Sequence, residues 1–274
     1  MGNTVSGSKA SKTGGTKVNS VLKALDVLHC FEMGSADLSL AQISRQLQMP
    51  KSTLLNLIKT LESEGYLYKV ENTQNYRLGL KILELAFQLR SSMPVIQYAL
   101  PFIEDIQVAT EENVYLTTHR NGRVLYLESA IPNKSRIKYS ISGKVLPMHC
   151  TSCGRAMLSC MKDEEVKAII EYWGLAPSTP NSISDSDSLF LELEKIRKRG
   201  YAQEKEEETL GISCVSIAIR NSQSHPVGAI SVSGAVLSMT EEKVQLSIQL
   251  LSRACAMLSE WANLFPYKDM NPKT

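Results

Sequence analysis

Several features of common protein classes are missing from this sequence. No apolar run approaches the roughly 18 residues that a membrane-spanning helix needs. The opening stretch MGNTVSGSKASKTGGT has no hydrophobic signal-peptide core. The six cysteines lack the regular spacing of a disulfide framework. We therefore expect a protein of the reducing cytoplasm that has no membrane partner.

The composition and charge of the chain permit a globular protein with an anionic partner. Hydrophobic residues make up 43% and charged residues 21% of 274 residues, enough to build one large or two ordinary packed domains. Residues 1–81 hold 10 Lys/Arg and 6 Asp/Glu, a net charge of +4, whereas the remainder holds 20 and 22, a net charge of −2. The basic first part indicates an anionic partner.

Near the N-terminus the sequence predicts three helices followed by a hairpin. A helix over 19–33 is predicted by an apolar stripe at helical spacing, formed by Val21, Leu25, Leu28 and Phe31. Ser39 and Gln42 form a capping-box pattern that begins the second helix. Pro50 suits the first turn of the third helix. The inward stripe of this helix, over 51–64, is Leu54, Leu57, Ile58 and Leu61. The stretch YLYKVENTQNYRL then alternates like a hairpin.

The third helix carries small polar residues on the side away from its leucines. Ser and Asn side chains can reach base edges in a DNA major groove, and lysines can reach phosphates. Free N–H groups at the helix start also suit phosphate oxygens. We interpret the helix as a DNA-recognition helix and the hairpin as a wing. The candidate DNA-binding residues are Ser39, Lys51, Ser52, Thr53, Asn56, Lys59, Lys69 and Arg77. The alternatives are a solvated helix face and a protein–protein module.

Beyond residue 78 the pattern changes to that of an α+β domain. Residues 78–92 form an amphipathic helix that we expect to link two domains. Further helices are predicted near 95–110, 151–160, 163–173, 187–199 and 240–264. Strands are predicted near 113–119, 123–130, 136–141, 201–206, 212–220 and 226–234. Strands, then helices, then strands predict a mainly antiparallel sheet flanked by helices.

Three stretches together resemble the IclR family of bacterial transcriptional regulators. The first is VLKALDVLHCFE…LSLAQISRQLQMPKSTLLNLIKTLESEGYLYK…YRLGLKILELA, which is similar to the family's winged helix-turn-helix domain. The others, GKVLPMHCTSCGRAML and EEETLGISCVSIAIRNSQSHPVGAISVSG, are similar to signature stretches of its effector-binding domain. Asn56 departs from the family pattern, because many members have an Arg there. An Asn favours adenine and an Arg guanine, so the operator sequence is not implied.

The resemblance implies an organisation and a set of partners. The expected organisation is a disordered tail (1–17), a winged helix-turn-helix domain (18–80), a linker helix (81–94), an effector-binding domain (95–265) and a second tail (266–274). The expected protein is a repressor more readily than an activator. Its expected partners are double-stranded DNA with a palindromic operator, a small organic-acid effector, and copies of itself in a homodimer or homotetramer.

The second part of the chain holds a candidate ligand pocket. Thr151 and Ser152 are possible N-caps of a helix whose Gly154 would let a ligand approach the backbone. Period-2 geometry sends alternate residues of two later strands to one face. From the residues alone, two ordinary core strands with hydrogen-bonded serines are the favoured interpretation, because small residues are common in strands. The resemblance implies an effector site at Met148, Gly154, Glu204, Ile212, Cys214, Ser231 and Ser233. Glu204 would accept a ligand hydroxyl and would disfavour a second carboxylate.

The stretch HCTSC, residues 149–153, suggests a different chemistry. Cys150 and Cys153 are spaced like a redox pair, and thiol pKa values fall at helix N-termini. Together they supply only two metal ligands, and the sequence offers no second pair with matching spacing. The favoured interpretation therefore includes no metal and no cofactor.

A cysteine-dependent enzyme acting on a small carboxylate is the rival functional class. Cys214 or Cys153 would be its nucleophile, with His149 or His119 as the base. No third group that would orient the base is evident, and neither a Gly-rich phosphate loop nor a metalloprotease helix is present in the sequence. The favoured interpretation has no catalytic residues.

Overall fold

The structure is a computed structural model that describes residues 17–32, 36–132 and 141–262. The chain separates into two compact units, Met1–Ser92 and Met93–Thr274. This division falls within the stretch predicted to be a linker helix. The predicted tails, apart from Lys17, and the predicted strand at 136–141, apart from Ile141, lie outside the described residues. None of the helices in the described ranges has the length and apolarity to cross a membrane.

The first unit combines helices with a small antiparallel sheet of strand order β1-β3-β2. A short 3-10 turn at Cys30–Glu32 follows its first helix. The elements in chain order are α1 (Asn19–His29), β1 (Leu38–Ser39), α2 (Leu40–Leu47), α3 (Lys51–Ser63), β2 (Leu67–Lys69), β3 (Asn75–Leu78) and α4 (Lys81–Ser91). This order is a winged helix-turn-helix, as the sequence predicts.

The core of the first unit is built where α1, α2 and α3 meet. Val27, Ile43, Leu54 and Ile58 are fully buried there. The predicted capping box is present, because the Ser39 backbone N–H donates to Gln42 Oε1 at 2.8 Å and the Gln42 N–H donates to Ser39 Oγ at 3.3 Å. The box fixes the residue at which α2 begins.

Two features of the first unit differ from the prediction. Helix α1 buries Val27, whereas Val21 and Leu25 of the predicted apolar stripe remain about half exposed. Strand β1 was not predicted, because its two residues form a strand only by pairing with Tyr76 and Asn75 far along the chain. The periodicity of a short stretch does not show whether another element will cover its apolar side, as with Val21 and Leu25. Nor does it show which distant strand a short stretch such as β1 will pair with.

The second unit is a six-stranded antiparallel sheet of order β6-β5-β4-β9-β8-β7, with helices on both faces. The turn between β4 and β5 uses Asn121 and Gly122 with positive φ, as a two-residue hairpin requires. The elements in chain order are α5 (Pro94–Thr110), β4 (Asn113–Arg120), β5 (Arg123–Ala130), β6 (Val145–Pro147), α6 (Ser152–Leu158), α7 (Asp163–Trp173), α8 (Ser186–Arg199), β7 (Ala202–Lys205), β8 (Ile212–Arg220), β9 (Pro226–Ala235) and α9 (Glu241–Ala262).

Alternation along the strands gives the sheet two different apolar faces. Val114 and Val232 belong to the core that α5 and α9 cover. Tyr126, Ala202 and Ala229 belong to a second core with residues of α6, α7 and α8. Strands β4, β5, β8 and β9 therefore contribute to both layers, which fixes the register of the central part of the sheet.

Strand β6 was not predicted. It pairs with Arg123–Leu125 at the edge of the sheet, and Pro147 ends it. Three residues, the last of which is a proline, give too short an alternation to mark a strand, so the assignment depends on the neighbouring strand. The predicted helix at 151–160 is also shorter than expected and ends at Leu158.

Gly154 has a structural role that differs from the predicted one. A Cβ at this position would overlap the carbonyl oxygen and Cα of Met148, and it would also press on Thr151 Oγ1. The Gly154 N–H donates to Thr151 Oγ1 at 3.2 Å, so it is already capped. The space that the sequence analysis reserved for a ligand is therefore filled by the chain itself.

Replacing Gly154 by Ala tests this packing, because the two explanations predict changes of opposite sign in the stability of the protein. An open helical site would gain about 1 kcal/mol of stability from the better helix former. Overlap with the Met148 backbone should instead cost about 1–3 kcal/mol, as overpacking of a core does. We expect a lower thermal unfolding midpoint for Gly154→Ala without any ligand. Gly234→Ala is the control and should cost less, because its Cβ meets the ends of the Glu112 and Ser238 side chains. A midpoint raised by Gly154→Ala would contradict the packing role.

Candidate functional site

Helix α3 presents the predicted polar side chains to solvent. Ser52, Thr53, Asn56 and Lys59 are exposed, while Leu54, Ile58 and Leu61 face the core. Among the described residues, none of these four polar side chains has a hydrogen bond or ion pair. Their donors, acceptors and charge are available to an external partner.

The two ends of α3 differ in how their polar groups are used. No side chain caps the N-terminus, since Pro50 precedes the helix, and the first N–H groups stay free of a cap. Towards the C-terminus, Thr60 Oγ1 donates to the Asn56 carbonyl at 3.0 Å and Ser63 Oγ to the Thr60 carbonyl at 2.9 Å. The small polar and basic side chains that stay free to bind a partner therefore lie between Lys51 and Lys59.

The wing, defined here as β2, β3 and the turn between them, contributes one free cation. Lys69 is exposed at the end of β2 and makes no ion pair with the described residues. Arg77, the other predicted wing cation, forms a bidentate ion pair with Asp37, with Nη2 2.7 Å from Oδ2. Its guanidinium also lies 5.9 Å from the Tyr68 ring centre. The hydrogen bond from Arg77 holds the pKa of Asp37 below its ordinary value.

Ser39 and Arg77 thus stabilise the fold of the first unit, and for Arg77 this role was not predicted from the sequence. Ser39 Oγ is engaged by Gln42 in the capping box, and the charge of Arg77 is balanced by Asp37. Asp37 lies 40 positions away from Arg77, so no local pattern indicates the pair. Their predicted contacts with DNA stay predictions, but the geometry favours them less than the residues of α3.

In the second unit, the sheet register aligns three predicted effector residues side by side. Glu204 on β7 is opposite Cys214 on β8, and Cys214 is opposite Ser233 on β9. The Cys214 thiol donates to Ser233 Oγ at 3.1 Å. Ser231 lies two residues from Ser233 and is opposite Ser216, so it faces the same way. We call Glu204, Cys214 and Ser233 the polar row.

Glu204 is the chemically unusual member of the polar row. Its side chain is buried, and Oε2 accepts the Glu207 backbone N–H at 3.0 Å. Burial raises the pKa of Glu204 because the charged carboxylate loses its hydration. Burial and the neighbouring Glu204 charge also raise the pKa of the Cys214 thiol, which therefore stays protonated and acts as a donor.

Helix α6 and two tyrosines lie beside the polar row. Ser152 Oγ and Ser216 Oγ share a hydrogen bond of 2.7 Å between α6 and β8. Tyr115 and Tyr126 pack edge to face, with ring centres 5.4 Å apart. Sequence reasoning missed Ser216 and both tyrosines. The alternation within β4 and β5 indicates which face of the sheet each tyrosine occupies, but it does not show that the two rings are in contact.

A buried ion pair fixes the segment that follows Glu204. Arg155 is 1% exposed, and its two terminal nitrogens bond Glu207 at 2.6 and 2.7 Å. Arg155 also donates to the Gln203 carbonyl at 2.8 Å. Ser182 Oγ donates to the Glu207 carbonyl at 2.6 Å from the other side. Because Glu207 neutralises Arg155, the charge of the polar row depends on Glu204.

The remaining predicted effector residues lie around this row. Ile212 begins β8 and, two residues from Cys214, shares its face. Met148 is buried beneath the start of α6, against the backbone of Gly154. The structure thus brings Glu204, Cys214, Ser231 and Ser233 together on one face and leaves Gly154 as a packing residue.

The cysteine chemistry weighed from the sequence lacks the geometry it needs. His149 Nε2 bonds the Ala176 carbonyl and His119 Nε2 bonds the Pro226 carbonyl, so within the described residues neither histidine pairs with Cys153 or Cys214. Burial raises the pKa of Cys150 and of Cys153, which is the opposite of the depression expected for a reactive pair. No three metal-binding side chains come together in the described part of the chain.

Comparison with known proteins identifies both units. Residues 20–71 match the family model described as the IclR helix-turn-helix domain, and residues 87–260 match the model for the C-terminal domain of the bacterial transcriptional regulator IclR. The HTH-type transcriptional regulator XynR of Escherichia coli is 29% identical over 244 residues, covering 86% of this chain and 97% of XynR. The HTH-type transcriptional repressor AllR of E. coli is 29% identical over 222 residues, covering 81% and 82%.

Solved structures share the fold. A transcriptional regulator from Alicyclobacillus acidocaldarius has a TM-score of 0.79 at 26% identity, covering 90% of this chain and all of that one (100%). An IclR homolog from Microbacterium hydrocarbonoxydans, solved as a complex with 4-hydroxybenzoate, has a TM-score of 0.72 at 22% identity. That comparison covers 88% of this chain and 98% of the homolog.

Proposed function

The chain belongs to the IclR family of bacterial transcriptional regulators, and from that premise we propose a cytoplasmic repressor whose operator affinity responds to a small organic acid. DNA binding follows from its helix-turn-helix domain. The observation that carries the proposal is the solvent-exposed polar surface of α3 from Ser52 to Lys59, whose side chains make no hydrogen bond or ion pair with described residues. Repressor rather than activator is supported by the 29% identity to the repressor AllR.

Recognition of DNA is assigned to the free polar groups of α3. Ser52 and Asn56 are candidates for base edges, and an Asn side chain can bond both N6 and N7 of adenine. Lys51, Lys59 and Lys69 are candidates for phosphates, which position the protein without reading sequence. The uncapped N–H groups at the start of α3 add an anion site where the helix dipole is favourable.

Self-association is supported by apolar side chains that the first unit leaves exposed. One stripe runs from Val18, just before α1, along Val21, Leu22 and Leu25 of the helix, and these side chains are 40–60% exposed. Leu80, just before α4, lies on one side of the helix with Leu83 and Phe87, while Leu85 and Leu89 lie on the opposite side. These five side chains are 48–76% exposed. A monomer rarely leaves so many large apolar side chains in water on two helices. A second copy with two-fold symmetry would cover them and would match a palindromic operator.

The polar row is the proposed effector site. Ser233 and the protonated Cys214 thiol can donate to a ligand carboxylate, and Glu204 can accept a ligand hydroxyl. The structural neighbour that was solved with 4-hydroxybenzoate supports a hydroxylated organic acid as the ligand class. An effector that changes the spacing of two recognition helices needs a coupling free energy of about 1–3 kcal/mol to change operator affinity roughly 5–150-fold.

Variants of α3 test the assignment of base and phosphate contacts. Asn56→Ala and Ser52→Ala should each cost about 1–3 kcal/mol on the DNA upstream of the gene and little on scrambled DNA, because they remove base contacts. Lys59→Ala should weaken binding to both DNAs and lower the salt slope by about one. Fluorescence anisotropy across a salt series measures these effects. Ser63→Ala is the control, since Ser63 already bonds its own helix. Equal losses on both DNAs for all variants would rule out direct readout.

Charge placed on the side of α4 that carries Leu83 and Phe87 tests the proposed self-association. Leu83→Glu or Phe87→Glu should lower the association state, because a dimer would have to bury the new carboxylate. Sedimentation velocity at several protein concentrations measures this. Gln88→Glu adds the same charge at an exposed polar position of α4 and should leave the association state unchanged. If all three variants had the same association state, the interface between copies would not include this side of α4.

The pH dependence of ligand binding tests the role of Glu204. Burial raises the pKa of Glu204, and its ionised form repels a nearby carboxylate. Affinity for 4-hydroxybenzoate should therefore rise as the pH falls through that pKa, and Glu204→Gln should remove this dependence. Calorimetric titrations from about pH 5 to 8 keep the carboxyl group of the probe ionised. Glu164→Gln, at an exposed site, should behave like the wild type. A pH profile that Glu204→Gln leaves unchanged would exclude Glu204 from the site.

A further inference from the structure

A cavity of about 130 Å³ lies in the second unit, apart from the polar row. It is bordered by the tip of the β4–β5 hairpin, the end of β6, α7 and the segment that follows α7. Its lining is mostly apolar and includes Leu158, Val166, Ile169, Ile170, Leu175 and Leu189. Glu204, Cys214 and Ser233 do not belong to the lining, which shares only Met148 with the predicted effector residues.

Arg123 is the charged residue of this lining, and no Asp or Glu accompanies it among the described residues. Its Nε is buried and has no hydrogen-bond partner. The guanidinium lies 5.0 Å from the Trp173 ring, and Arg123 makes no ion pair with a described residue. A buried N–H group of a cation that lacks a hydrogen-bond acceptor lowers the stability of the protein. Arg123 therefore offers the cavity a donor that a bound anion would satisfy.

The groups around Arg123 are held in place before any ligand arrives. The Trp173 indole N–H donates to the Asn121 carbonyl at 2.6 Å. A Cβ on Gly122 would lie 3.0–3.2 Å from Ile169 and Trp173, so the hairpin tip packs closely on α7. His149 is buried, and its Nε2 donates to the Ala176 carbonyl at 3.1 Å. Burial lowers the pKa of His149, which therefore adds no second charge.

Size and charge together define a ligand class. A cavity of about 150 Å³ with an apolar lining is known to hold one benzene molecule, so this cavity suits a single ring or a short branched chain. We propose that it is a second small-molecule site, which takes a monocarboxylate with a benzene-sized apolar body. The carboxylate bonds Arg123, and the body lies among the apolar side chains beside Trp173. This site requires neither the operator nor the polar row.

Benzoate is the probe, and Trp173 is the reporter. The protein has two tryptophans, so Trp261→Phe leaves Trp173 as the source of indole fluorescence. We expect a saturable change in fluorescence with benzoate in this background. Arg123→Met should weaken it about tenfold or more, the value of a lost hydrogen bond to a charged group. Arg120→Met, an exposed position on the same hairpin, should leave it unchanged. Benzamide, which is neutral and of the same size, should bind the unmodified pocket about tenfold more weakly or worse.

Further variants separate this site from the polar row. Glu204→Gln should leave the Trp173 titration unchanged, and loss of operator binding through Lys59→Ala should not affect it. The proposal is overturned if no saturation occurs, if Arg123→Met binds benzoate like its parent, if benzamide binds as tightly as benzoate, or if Glu204→Gln abolishes the signal. A failure of the regulator assignment would appear in the DNA measurements and would leave this titration unaffected.

Discussion

The docking of the apolar stripe of α3 determines what the first unit can do. Leu54 and Ile58 are fully buried against a core that includes Val27 and Ile43. Because this side is buried, the opposite side of the helix faces solvent and is accessible to a partner. The residues on that side are short and polar, so a flat nucleic-acid edge can approach closely. If the stripe were rotated by one residue, Asn56 and Lys59 would turn away from the exposed surface.

In the second unit, strand register has the corresponding role. Residues that are far apart in sequence become neighbours because β7, β8 and β9 pair antiparallel, which places Glu204 next to Cys214 and Cys214 next to Ser233. The ion pair between Arg155 and Glu207 then fixes the backbone beyond Glu204. One carboxylate therefore controls the charge of the row, while the supporting cation is already neutralised.

The sequence predicted those parts of the fold that depend on local periodicity. The helices, the capping box at Ser39 and most strands follow from apolar spacing and turn residues. Strands β1 and β6 were missed because each is short and depends on a distant partner. The same reason explains the pairing of Arg77 with Asp37 and the fit of Gly154 against Met148. In the candidate site, period-2 geometry predicted which residues share a face, but the cavity beside Arg123 and Trp173 results from tertiary packing alone.

Thr60 and Ser63 bond the backbone of their own helix, which in the proposed DNA complex would limit how much of an operator one copy of α3 can contact. The two turns of α3 that keep free polar groups span about 11 Å along the helix axis, which corresponds to roughly three base pairs of B-form DNA. So short a stretch recurs by chance throughout any genome. In the proposed repressor, selective regulation would therefore rely on combining half-sites at a fixed separation, so that their spacing would carry part of the specificity for the operator.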